Sequence, residues 1–110
     1  MSAFSEWLQF ELDKRGWNQG DLMRASGLRR SVISNLINER RNPGKITCQA
    51  IAHGLNLPKD TVYRAAGLLD EITAQDKVIE IIVYRMKYLT DRQLDEVMRY
   101  IDFIRERDSK

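Results

Sequence analysis

Cysteine and histidine are nearly missing: the 110-residue sequence has one of each, Cys48 and His53. A single cysteine excludes an internal disulfide and any cysteine-built zinc site, two common supports of small domains. There is no spacing of metal ligands, no glycine-rich phosphate loop and no nucleophile motif, so neither a metal, a cofactor nor an enzymatic activity is expected. No apolar run approaches the ~20 residues that cross a bilayer, and a membrane role is not expected. The first residues, MSAFSEWLQFELDKRGW, carry Glu6, Glu11 and Asp13 and lack the basic-then-apolar layout of a secretory leader, which makes the cytoplasm the expected location. Strand-like alternation is also absent, which leaves helical periodicity to organise the chain.

What is present suits a compact fold. Hydrophobic residues make up 43% and charged residues 31%, a globular rather than a disordered balance. The net charge of +2 is too small to imply a partner, but it is unevenly spread. Residues 1–70 hold ten Lys/Arg against seven Asp/Glu, whereas residues 71–110 hold eight against nine. The densest basic stretch runs from Arg29 to Lys45, where Arg29, Arg30, Arg40, Arg41 and Lys45 face one acid, Glu39. Lys14, Arg15 and Arg24 read as solvated surface charges.

Turn signals every ten to fifteen residues divide the sequence into an all-α arrangement of seven helices. Phe4, Trp7, Leu8 and Leu12 give a first amphipathic helix, stopped near Arg15 by Gly16, after which Trp17 enters the core. Asn18 is a good N-cap with Asp21 three residues on, starting a short second helix through Leu22 and Met23. Gly27 supplies the corner, and a third helix carries Val32, Ile33, Leu36 and Ile37 up to Asn42-Pro43-Gly44. In a fourth, Cys48, Ile51, Ala52 and Leu55 form one stripe that places Cys48 inside as a small hydrophobe. Asp60 is expected to cap a fifth helix bearing Val62, Tyr63 and Ala66, closed by Gly67. These five make a first domain, residues 1–69.

Residues 70–110 are expected to form a C-terminal helical hairpin. From about Gln75, Val78, Ile79, Ile82, Val83, Met86 and Leu89 share a broad apolar face, so this helix is expected to be buried over much of its surface. Thr90-Asp91-Arg92-Gln93 is a capping box that starts the last helix, with Leu94, Val97, Ile101 and Ile104 at alternating spacings of three and four. Two helices cannot cover both stripes alone, so the hairpin must pack on something. Ile82, Met86, Leu94, Val97, Ile101 and Ile104 are the candidate dimerisation residues; the alternatives are that both helices wrap the first domain as extra core, or that they hold a different protein.

The stretch NQGDLMRASGLRRSVISNLINERRNP, Asn18 to Pro43, reads helix, glycine corner, helix, basic loop. With Gln19, Leu22, Gly27, Ser31, Ile33, Ser34, Asn38, Arg41 and Pro43 in order, it resembles the phage repressor and Cro-like (XRE-type) helix-turn-helix family over roughly residues 4–66. The resemblance implies a five-helix repressor-like domain, double-stranded DNA as partner, a nucleoid-associated location and transcription regulation. It also implies that Gln19 anchors the DNA backbone and that Asn38, Arg40 and Arg41 form a second phosphate clamp, with Lys45 a weaker candidate. Glu39 departs from the family, which often has glycine there.

The residues support the same reading on physical grounds. With an inward stripe on the third helix, Arg30, Ser31, Ser34 and Asn35 fall on the outer side, as a helix entering a major groove requires. Arg29 and Arg30 sit at the positive end of the helix dipole, where cations cost roughly 0.3–1 kcal/mol. Arg29 also stands at the apparent N-cap without the side-chain oxygen worth about 1 kcal/mol there. Local rule-breaking of this kind makes sense if a phosphate or a guanine edge is the partner. One such unit reads few base pairs, so a homodimer on two half-sites is expected, acting as a repressor; the competing expectation is an antitoxin-type protein whose hairpin binds a protein partner.

Overall fold

The computed structural model describes residues 3–38 and 42–109. Among them the chain is all α: α1 (Ala3–Arg15), α2 (Gln19–Ser26), α3 (Arg30–Ile37), α4 (Lys45–Leu55), α5 (Lys59–Ala65), α6 (Ala74–Met86) and α7 (Asp91–Asp108). α1 stops where Gly16 turns left-handed at φ 68°, allowing the Trp17 N–H to reach back to the Leu12 carbonyl at 2.9 Å. The Asn18–Asp21 capping box forms in both directions, at 2.8 and 2.9 Å. Gly27, at φ 76°, ends α2 and donates to the Met23 carbonyl.

α2 packs on α3 and α4, α4 on α5, and α1 closes the unit against α3 and α5. Their apolar stripes meet in one core: Phe4, Leu8 and Leu12 from α1, Leu22 from α2, Ile33 and Leu36 from α3, with Cys48, Ile51 and Leu55 from α4 and Val62 from α5. Burial pushes the Cys48 thiol up to about 11, as expected of a cysteine used as a small hydrophobe. Trp7, Trp17, Val32 and Ile37 are half-buried around the edge of this core. α5 starts two residues earlier than expected: Pro58 is its N-cap residue and its carbonyl accepts from the Thr61 N–H, while Asp60 sits in the first turn.

Three polar ties fix the packing over long sequence separations. The buried Ser5 hydroxyl donates to the Ile37 carbonyl at 2.6 Å, occupying the C-terminal end of α3 from α1. Arg15 is not a solvated charge. Its guanidinium binds the Glu11 carboxylate at 3.0 Å and the Leu55 carbonyl at 2.8 Å, holding α1 to the end of α4. Gly54 lets α4 approach the end of α2 so closely that a Cβ there would lie 3.0–3.1 Å from Ser26, including its backbone.

The last two helices follow the expected signals but not the expected burial. Thr73 caps α6, and the Thr90–Gln93 capping box starts α7. α6 leans on α5, where Glu80 accepts from Thr61 at 2.7 Å and from Arg64 with both carboxylate oxygens at 2.7 Å. Burial alone would raise the Glu80 carboxyl, but the Arg64 and Thr61 hydrogen bonds outweigh it and hold it below the usual range. Yet α6 buries no residue, and Val78, Ile79, Ile82 and Val83 are exposed; of its apolar side chains, Ile81 is the one that reaches the core's edge among the described residues. α7 likewise buries nothing and is not packed along any other helix. The expected burial of α6 therefore fails within one chain, and neither helix wraps the first unit as extra core.

Candidate nucleic-acid interface

α3 is gripped from behind. Ile33 and Leu36 are buried, Val32 and Ile37 lean on the core, and the Ser5 hydroxyl occupies the last carbonyl. The 3.6-residue period then turns the other side of the helix outward. Arg30 and Ser31 are exposed there, while Ser34 and Asn35 are half-buried at the margins, less open than their position on the helix suggested. Val32 is half-buried against the core.

Arg29 is the N-cap residue of α3 in extended conformation, and no side chain caps the helix. The Arg30 and Ser31 N–H groups, at the first two helical positions, have no intrahelical acceptor. Arg29 and Arg30 are both exposed, and their guanidinium groups form no hydrogen bond or ion pair among the described residues. Two unneutralised guanidiniums beside open N–H groups create a positive, donor-rich helix start. It is suited to anionic or acceptor-rich partners and offers nothing to another cation.

α2 presents a second set of donors. Asn18 takes up the Asp21 N–H, leaving the N–H groups of Gln19 and Gly20 open at the helix start. Gln19 stands there half-exposed. Arg24 does not add to this surface, because it pairs with Asp21; the Asn18 N–H and that pairing hold the Asp21 carboxyl below its usual range. At the other end of α3, Asn38 is exposed and donates to the Ser34 hydroxyl at 3.2 Å. Lys45 is exposed at the first position of α4 and has no partner among the described residues. Arg40 and Arg41, assigned to the same clamp by resemblance, lie outside the described residues.

The structure thus brings Arg29, Arg30 and Ser31 together at the start of α3, with Gln19 at the start of the preceding helix of the corner. Sequence reasoning missed the scaffold behind them, namely Ser5, Arg15 and Gly54. A glycine inside an otherwise regular helix was the available signal for Gly54, since its cost of roughly 1 kcal/mol is tolerated where backbones must approach. His53 is exposed on α4. Among the described residues no cluster of His, Cys, Asp and Glu has the arrangement to hold a metal ion, and no helix is long and apolar enough to cross a membrane. The profile of a family described as helix-turn-helix matches residues 8–62, half of the chain. No curated protein and no solved structure gives a match.

Proposed function

Because this chain belongs to the phage repressor and Cro-like (XRE-type) helix-turn-helix family, we propose that it is a sequence-specific repressor that binds double-stranded DNA as a homodimer. DNA binding and a part in transcription regulation come with the family, whose members carry a regulatory rather than an enzymatic domain. In the proposed complex α3 enters the major groove. Arg29, Arg30, Ser31, Ser34 and Asn35 meet base edges, and Gln19, Asn38, Arg40, Arg41 and Lys45 hold phosphates. A protein with this task works in the cytoplasm, at the nucleoid.

The observation that carries this reading is the pair of exposed, unpaired guanidiniums at the uncapped start of α3. Folding gains nothing from them, whereas a guanine O6/N7 edge or a phosphate supplies both missing partners. Dimerisation is supported by the apolar faces of α6 and α7, including Ile82, Met86, Leu94, Val97, Ile101 and Ile104, none of which is buried in one copy. The same contrast supports a division into a DNA-binding unit, residues 1–69, and an association element, residues 70–110. Those faces also suit a second reading, an antitoxin-type protein that holds a different protein through its C-terminal helices.

Selection of bound duplexes from a random library tests the proposal. The expected outcome is a palindrome with half-sites about one helical turn, ~34 Å, apart, together with a doubled mass for the purified chain. Recovery of no preferred sequence removes the sequence-specific reading. A monomer that acquires a second, different chain on purification favours the antitoxin reading instead.

A further inference from the structure

α7 is 18 residues long, about 27 Å of helix. Its apolar residues Leu94, Val97, Ile101 and Ile104 recur at alternating spacings of three and four, the seam that a single facing helix covers. No helix of the same chain lies along that seam. We propose that a second copy of α7 covers it, running antiparallel, with the two-fold axis crossing the pair at the level of Arg99. The inference rests on the homodimer reading above and specifies its geometry.

Charge and register argue for this occupant and this direction. An antiparallel pair centred there sets Leu94 against Ile104 of the second copy and Val97 against Ile101, so the whole stripe is used and each residue meets a large aliphatic one. The same operation brings Asp91, on the flank of the stripe at the first turn, beside Arg105 of the second copy on the flank at the last turn. Neither Asp91 nor Arg105 has an ion-pair partner within the chain among the described residues. By contrast, Asp95 and Arg99, on the side turned away from the stripe, already pair with each other. A parallel pair would leave Asp91 and Arg105 at opposite ends of the pair, without each other as partners, and would align the two helix dipoles. The surface is therefore its own complement under a two-fold operation, which is the condition for an isologous dimer and which an unrelated protein has no reason to satisfy.

Cross-linking of the full chain tests the pairing, because natural Cys48 is buried and stays out of thiol exchange. Leu94→Cys and Ile104→Cys chains are oxidised separately and as a mixture, with the mass of each sample followed by light scattering. The proposal expects disulfide-linked dimers in the mixture and none in either chain alone. Self-linking of Leu94→Cys, the result for a parallel pair, overturns it. So does a dimer that links in no sample, which leaves the homodimer reading standing on another surface. A monomeric unsubstituted chain at concentrations that bind DNA overturns both. As a check without new thiols, Asp91→Arg is expected to weaken dimerisation about tenfold at low salt, and adding Arg105→Asp to restore it. Unchanged dimerisation in Asp91→Arg counts against the pairing.

Discussion

The first five helices and the last two are written in the same apolar periodicity, but they end differently. In α1 to α5 every stripe meets another, and Leu8, Leu22, Ile33, Cys48, Ile51 and Val62 are fully buried. In α6 and α7 the stripes are as regular and nothing is buried. Periodicity reports that a helix face is meant to be covered. What covers it depends on neighbours, and in the first unit these come from the same chain through ties such as Ser5–Ile37 and Arg15–Leu55. Among the described residues the second region is attached through Glu80, held by Thr61 and Arg64 at 2.7 Å, and through a longer bond from Arg85 to the Asn56 carbonyl at 3.4 Å. The first five helices therefore hold α3 from behind, while the last two leave their apolar faces exposed or half-buried among the described residues.

The comparison is broken most readily in the core. Ile51→Ala is expected to lower stability by about 2–5 kcal/mol through lost burial and a cavity, measured by urea unfolding. Ile82→Ala, on the open side, should change the stability of dilute protein by no more than about 0.5 kcal/mol. Equal losses from the two would mean that α6 is covered within one copy. Gly54→Ala is expected to cost about 1–3 kcal/mol, because its Cβ meets the Ser26 backbone, which has no rotamer with which to yield.

The smallest expected effect separates the two regions by pH. The Glu80 carboxyl is held below its usual value, so the folded state gains from the ionised form. That gain is complete above the ordinary carboxylate pKa and disappears as pH falls through the lowered one. Amide exchange in α6 should therefore speed up on acidification before that in α4 does, and Glu80→Gln should remove the difference. Simultaneous loss of protection in both helices would contradict the attachment assigned to Glu80.

The legible features were those encoded within a few residues. The Asn18–Asp21 and Thr90–Gln93 capping boxes, the left-handed Gly16 and Gly27, and the Cys48–Leu55 stripe all follow from side-chain oxygens or backbone freedom acting three to seven positions away. Arg15 and Ser5 were not legible, because their partners lie 40 and 32 residues along the chain and an arginine or serine on a helix reads as solvated until that partner is seen. The start of α5 was misplaced because Asp60 looked like a better cap than Pro58, whose fixed φ already suits the helix entry. For the candidate site, the order and type of the residues were readable, and so was the odd placement of Arg29 at an N-cap. The half-burial of Ser34 and Asn35 was not, since it depends on how far neighbouring elements overlap the edges of α3.

The central claim is that Arg29 and Arg30 are there for DNA rather than for the fold. Titration of a selected duplex with the natural chain and with Arg29→Ala/Arg30→Ala, alongside thermal unfolding of both, measures it directly. The account predicts unchanged unfolding and a loss of about 1–3 kcal/mol of binding per base contact removed. It also predicts that binding by the natural chain falls steeply with salt, with a slope near −0.9 per phosphate neutralised. Equal affinity of the two proteins for that duplex would contradict it.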